Sequence, residues 1–205
     1  MKFIICLVLL VFCFTIQATP REIVIIRHAD KLDTPMHGES LSPTGFIRSV
    51  NFAFYFKKKF GYPDYIIATR PVNNKRYIDS IRELQTVLPL ENMMAMSKLV
   101  KPGNNIVLYP YTAQEYIKMI DFVVDNPKFK NKLILICWDH HNIQFILRRL
   151  LGNIKLPAWK QRDFGQVDVI KFKINKPYSF HALLNQYPTD HVKNWQIIQK
   201  RLNSD

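Results

Sequence analysis

The chain has 205 residues, 48% of them hydrophobic, and a formal net charge of +13. That length supports one domain with its own core. Such a charge attracts phosphorylated substrates, nucleic acid or anionic membrane surfaces, but the lysines are scattered rather than massed with aromatics on one stretch, which argues against nucleic acid.

Met1-Lys2 is a short basic start, followed by the uncharged apolar run Phe3–Ile16 and then Gln17-Ala18-Thr19-Pro20. The run is too short to span a bilayer comfortably and reads as the core of a signal peptide over residues 1–18, cleaved after Ala18. An uncleaved anchor is the alternative. The expected product is an exported domain, periplasmic or extracellular, over residues 19–205, with no stable membrane insertion once the signal is gone. Cys6 and Cys13 fall in the signal, so Cys137 is left without a disulfide partner. It lies in an apolar run and is expected to be a buried, inert thiol.

Ile23-Val-Ile-Ile26 is a continuous apolar run that predicts a strand buried on both faces, ending at Arg27 and His28. Ser42-Pro43 is a helix start, and Phe46, Ile47, Val50, Ala53 and Phe54 recur at helical spacing up to Lys57-Lys58-Lys59, where cations suit the helix dipole. After a turn at Gly61–Asp64, Tyr65–Ala68 predicts a second strand. A helix is expected from Asn73-Asn74, carrying Tyr77, Ile78, Ile81, Leu84 and Leu88, containing Arg82 and stopping at Pro89.

Beyond a turn at Lys101–Asn105, Ile106–Tyr109 predicts a strand, and Thr112 and Glu115 have capping-box spacing at the start of a helix that ends at Asn126-Pro127. Leu133–Cys137 predicts another buried strand, leading into Asp139-His140-His141 and a helix through Ile143, Ile146, Leu147 and Leu150 to Gly152. Val167–Ile174 reads as an edge strand with a bulge, and Asn194–Leu202 as a weak terminal helix. Strands alternating with helices predict an α/β domain, a three-layer αβα sandwich with a mostly parallel central sheet. Six glycines, none in a phosphate loop, argue against nucleotide binding of that kind.

In a parallel sheet, His28 and His140 would share the rim beyond the carboxyl ends of the strands. With Arg27 and Arg82 they make a set suited to a phosphoryl group: guanidinium forks match phosphate oxygens, one neutral imidazole can attack phosphorus, and another can donate to its oxygens. A metal site from His37, His140, His141 and nearby aspartates is the rival. It lacks ligand spacing, and adjacent His140 and His141 would point apart on an extended chain. No metal or cofactor is expected, and His37, His181 and His191 are read as surface or structural.

These residues resemble the histidine phosphatase (phosphoglycerate mutase-like) superfamily. Arg27-His28-Ala29-Asp30-Lys31 resembles its Arg-His-Gly motif in an Arg-His-Ala-acid-Lys variant. Leu41-Ser-Pro-Thr-Gly45 with Arg48-Ser49, Arg82-Glu-Leu-Gln85-Thr86, and Leu133 to Ile143 resemble three further segments, in the family's order. The resemblance spans most of residues 22–174. It implies a metal-independent phosphatase in which His28 forms a phosphohistidine and Arg27, Arg82 and His140 hold the phosphoryl group. Ala29 stands where glycine is commoner, and Thr69-Arg70-Pro71 replaces the usual serine-proline. The general acid is open among Asp139, Glu115 and Asp30: Asp139 adjoins His140, whereas Glu115 has a capping role to fill. The expected substrate is a small phosphorylated compound or a phosphoprotein. The alternatives are a phosphomutase, or a weak or inactive pseudoenzyme binding phosphorylated ligands or glycans.

Overall fold

A computed structural model describes residues 19–32, 39–72, 80–97, 107–108, 110–152, 156, 159, 162–173 and, for the backbone, 176–183. The expected signal peptide, the first turn of the helix placed at Asn73, the Lys101–Asn105 turn, the terminal helix, and His37 and His191 lie outside these residues, as does the side chain of His181. Among the described residues, no helix is long and apolar enough to cross a membrane.

Among the described residues, six strands form one sheet: β1 (Glu22–Arg27), β2 (Tyr65–Ala68), β3 (Val107–Leu108), β4 (Leu133–Trp138), β5 (Val167–Lys173) and β6 (Lys176–Leu183), in the order β3-β2-β4-β1-β5-β6. The first four neighbours run parallel, and β5 and β6 are antiparallel additions. The described α-helices that cover the sheet are α1 (Pro43–Phe60), α2 (Arg82–Met96), α3 (Tyr116–Asp125) and α4 (His140–Leu151).

Parallel strands need right-handed crossovers, and the direction of travel along the sheet decides the face. From β1 to β2 to β3 the chain moves one way, so α1 and α2 share a layer. From β3 to β4 to β5 it moves back, and α3 and α4 take the other. Two cores result. Val24, Ile26, Leu135 and Cys137 pack under Phe52, Phe56, Val87 and Leu90; Ile23, Ile25, Ile134 and Ile136 pack under Met119, Val123, Ile143 and Leu147. The three-layer sandwich follows. Cys137 is a free, buried thiol whose pKa burial pushes well above its ordinary value.

Several local expectations are corrected. The buried stripe of α1 is Gly45, Ser49, Phe52, Ala53 and Phe56, while Phe46 and Phe54 are 56% and 60% exposed. Apolar residues lie on two faces of this helix, and the sheet took the one carrying the small residues needed at its N-terminus. Pro89 lies inside α2 rather than ending it. The stripe Glu83, Val87, Leu90 and Met94 continues past it. Burying two large side chains beyond the proline offsets the roughly 3 kcal/mol that an interior proline costs. Strand β5 is not an edge, because β6 pairs with its outer side; the bulge is present, between Lys171 and Phe172.

Candidate active site

Strands β1 and β4 lie side by side in register, with Arg27 opposite Trp138. The chain leaves β1 toward one face and β4 toward the other, so their carboxyl ends flank the crevice where such folds bind ligands. His28 follows β1 there, and Asp139 and His140 follow β4.

The loop after β1 is held from three sides. The Ala29 amide donates to Thr86 Oγ1 at 2.9 Å, and Thr86 itself donates to the Arg82 carbonyl at 2.7 Å. Ser42 caps α1 through the Gly45 amide, while its own amide and hydroxyl both reach the Asp30 carbonyl. Arg48 grips the Asp30 carboxylate with Nε and a second nitrogen. Gly45 is required here, because a Cβ would collide with the Asp30 carbonyl. Gln85 Oε1 accepts the Leu41 amide at 2.8 Å and ties α2 to the same region.

His28 is 3% exposed, and its Nδ1 lies 2.7 Å from the Ala29 carbonyl. Only a protonated Nδ1 can serve a carbonyl, so in the neutral ring Nε2 keeps its lone pair. Burial drives the His28 pKa down to about 3; the Ala29 bond opposes this, and the charges of Arg82, Arg27 and His140 add to it. Arg27 is also buried, which lowers its pKa to about 10. Its guanidinium lies 4.1 Å over the Phe164 ring and donates to Nδ1 of His140 at 3.3 Å. His140 is lowered to about 4, by burial first and then by Arg27.

Arg82 opens α2, with Nε donating to Ser80 Oγ at 2.7 Å. It lines a cavity of about 170 Å³ together with Thr69, Arg70, Ser80, Glu83 and Asp139. His28 and His140 do not line this cavity; Asp139, next to His140 in the chain, does. A larger apolar cavity of about 830 Å³ between α2 and β3 contains none of the candidate residues.

Asp139 caps α4 by accepting the His141 amide at 2.7 Å, and it lies 3.5 Å from His140 Nδ1. Glu115 closes the expected capping box with Thr112 and bonds Lys118 at 3.0 Å. These contacts lower its pKa to about 2 and commit the carboxylate to the start of α3. Asp30 is committed to Arg48. His140 and His141 do not point apart: both lie in the first turn of α4, with ring centroids 3.9 Å apart. Together with Asp139 they bring ligand atoms within 4.8 Å of one another, although the Arg27 guanidinium beside His140 opposes a cation there.

Two participants escaped the sequence reading. Glu83 is 2% exposed, accepts from Ser80 Oγ at 2.8 Å, and borders the cavity; burial raises its pKa, and Asp139 raises it further. Phe164 covers Arg27 and lies 5.9 Å, ring to ring, from His28. Glu83 could have been noticed as an acid beside Arg82. Phe164 carried no local signal.

No family model matches the chain, and no curated protein does. Solved structures do. The protein histidine phosphatase SixA complexed with tungstate matches with a TM-score of 0.55 at 12% identity, over 80% of this chain and 97% of that one. Phosphoglycerate mutase from Bacillus anthracis matches at 0.55 and 8% identity, over 86% and 98%. A mycobacterial glucosyl-3-phosphoglycerate phosphatase matches at 0.50 and 14%, over 80% and 97%. The chain has the phosphoglycerate mutase-like fold.

Proposed function

We propose that the protein is a metal-independent phosphatase that hydrolyses phosphomonoesters through a phosphohistidine on His28. The observation that carries this is the pinned, neutral state of His28. Its Nδ1–H is tied to the Ala29 carbonyl, which leaves the lone pair on Nε2, and the charges of Arg82, Arg27 and His140 act on the ring.

The N–P bond forms from Nε2 as the P–O bond to the leaving group breaks. Arg27 and Arg82 balance the phosphoryl oxygens. His140 accepts from Arg27 on Nδ1, so its neutral ring carries the proton on Nε2 and can donate it to an equatorial oxygen. Asp139 protonates the leaving alkoxide. Its carboxylate then takes a proton from water as that water attacks phosphorus, which frees inorganic phosphate and restores His28. The substrate is a small phosphorylated compound or a phosphoprotein, and the exported location indicated by residues 1–18 would place it outside the cytoplasm.

Brief incubation with labelled substrate should trap an acid-labile, base-stable phosphoenzyme, lost in His28→Ala together with turnover. Chelator should leave the activity intact, and vanadate should inhibit it. Full activity in His28→Ala would sink the mechanism. Binding without turnover in the wild type would favour the pseudoenzyme.

A further inference from the structure

The end of the sheet opposite the candidate site carries a cluster of lysines, contributed by several elements that converge there. Lys57, Lys58 and Lys59 close α1, whose end is fixed there because the Asp64 amide bonds to the Leu133 carbonyl at the start of β4. Lys128 and Lys130 lie in the short turn that leads into β4. Lys173 ends β5, two residues beyond the pairing of Lys171 with Glu22 at the start of β1. All six of these lysines are exposed. The patch therefore runs across both helical layers and the sheet between them, forming a broad face rather than a groove. Among the described residues, the carboxylates at this end are Glu22, Asp64 and Asp125, and Asp64 is already paired with Lys132 at 3.0 Å.

Aromatic rings lie among the ammonium groups. Lys57 is 5.2 Å over Tyr62, Lys59 is 5.5 Å over Tyr55, and Lys128 is 4.7 Å over Phe122 and 5.6 Å over Tyr65. Lysines beside amphipathic rings suit the headgroup zone of a bilayer.

The first described residues are stitched to this same face: the Asn131 amide bonds to the Thr19 carbonyl, the Arg21 amide to the Lys132 carbonyl, and the Phe172 amide to the Arg21 carbonyl.

We infer that this basic base, built from Lys57–Lys59, Lys128, Lys130 and Lys173, is a docking surface for an anionic lipid bilayer. Docked this way, the rim bearing His28 and His140 faces away from the membrane, open to soluble phosphorylated substrates. The interaction is adsorption to headgroups and needs no inserted helix from the folded domain. Each lysine brought near an anionic leaflet adds roughly fivefold to partitioning, and salt screens the attraction. This inference is independent of the phosphatase reading.

The test uses the full chain with vesicles of phosphatidylcholine alone or with about one third phosphatidylglycerol, at low and high salt. Lysine acetylation is read residue by residue by mass spectrometry. The expected result is several-fold less labelling of Lys57–Lys59, Lys128, Lys130 and Lys173 on the anionic vesicles, reversed by salt. Lys31 and Lys118, at the opposite rim, should label equally on both. A Lys128→Gln, Lys130→Gln variant, altered only in an exposed turn, should lose part of the protection at Lys57–Lys59. Equal labelling on the two vesicle types would overturn the proposal. So would protection that appears with duplex RNA or DNA but not with anionic lipid, which would make nucleic acid the occupant.

Discussion

Arg27 donates to Nδ1 of His140 across 3.3 Å, which leaves the proton of the neutral His140 ring on Nε2. His28 has the opposite tautomer, with its proton on Nδ1 and its lone pair on Nε2. The two neutral rings thus present one N–H donor and one free lone pair, as the proposed mechanism requires of them.

The pH profile should show it. Burial lowers His28 to about 3 and His140 to about 4 from an ordinary value of 6.5. Both rings stay neutral well below neutrality, so kcat/KM should not fall through an acid limb near pH 6.5. An unfolded chain takes up protons near 6.5 that the folded chain refuses, so stability should fall as pH drops from about 6.5 toward 3. A kcat/KM limb centred near 6.5 that vanishes in His140→Asn would show that burial and Arg27 do not hold the ring neutral.

Gly45 should tolerate no side chain. In Gly45→Ala the new Cβ meets the Asp30 carbonyl, which is backbone and cannot swing aside. Either α1 backs away from the sheet or the loop carrying His28 shifts. A loss of about 1–3 kcal/mol in stability is expected, with kcat/KM reduced by at least tenfold. Wild-type melting and activity in this variant would show that α1 does not position the loop.

Much of this arrangement was legible because it is local. Ile23–Ile26 and Leu133–Cys137 announce buried strands, and the polar residues directly after them mark the rim. Ser42-Pro43 and the Thr112–Glu115 box fixed two helix starts through the residues that satisfy free amides. What the sequence hid depends on distant partners. Phe46 and Phe54 looked like core until the sheet selected the other face of α1. Pro89 looked like a stop until Leu90 and Met94 found neighbours in α1 and the sheet. Phe164 reaches Arg27 from a loop more than a hundred residues away, and no periodicity encodes that contact.

Asp168 should set the alkaline side of stability. Its carboxyl is fully buried in β5, with Oδ1 accepting from Gln166 at 2.9 Å and Oδ2 without a hydrogen-bond partner among the described residues. Burial raises its pKa to about 7, with the Gln166 bond opposing and Asp163 adding. Between about 4 and 7 the folded chain keeps a proton that the unfolded chain has lost, so this group makes stability fall as pH rises through that window and level off above it. Asp168→Asn removes the titration while keeping the accepting oxygen. Its melting temperature should exceed that of the wild type at pH 8, by a margin on the order of a few kcal/mol in stability, and converge with it near pH 4. Parallel curves for the two proteins would place the pH dependence elsewhere.

The general acid can be separated from its neighbours by the leaving group. A nitrophenolate departs without a proton, whereas a sugar alkoxide does not. Losing the true acid should spare aryl phosphates and slow alkyl phosphates on the order of a hundredfold or more. Asp139 borders the cavity with Arg82 and sits beside His140, so Asp139→Asn should show this split. Glu115 is occupied by Thr112 and Lys118 and ionised down to about pH 2. Glu115→Gln should lower the melting temperature modestly and leave both substrates turned over alike. Glu83 is the sharper rival, a buried carboxyl on the same cavity whose pKa is raised by burial and by Asp139 itself. If Glu83 only supports Ser80 and the start of α2, Glu83→Gln should slow aryl and alkyl substrates equally. If the split appears in Glu83→Gln and not in Asp139→Asn, the proton comes from Glu83, and Asp139 serves to keep that carboxyl protonated.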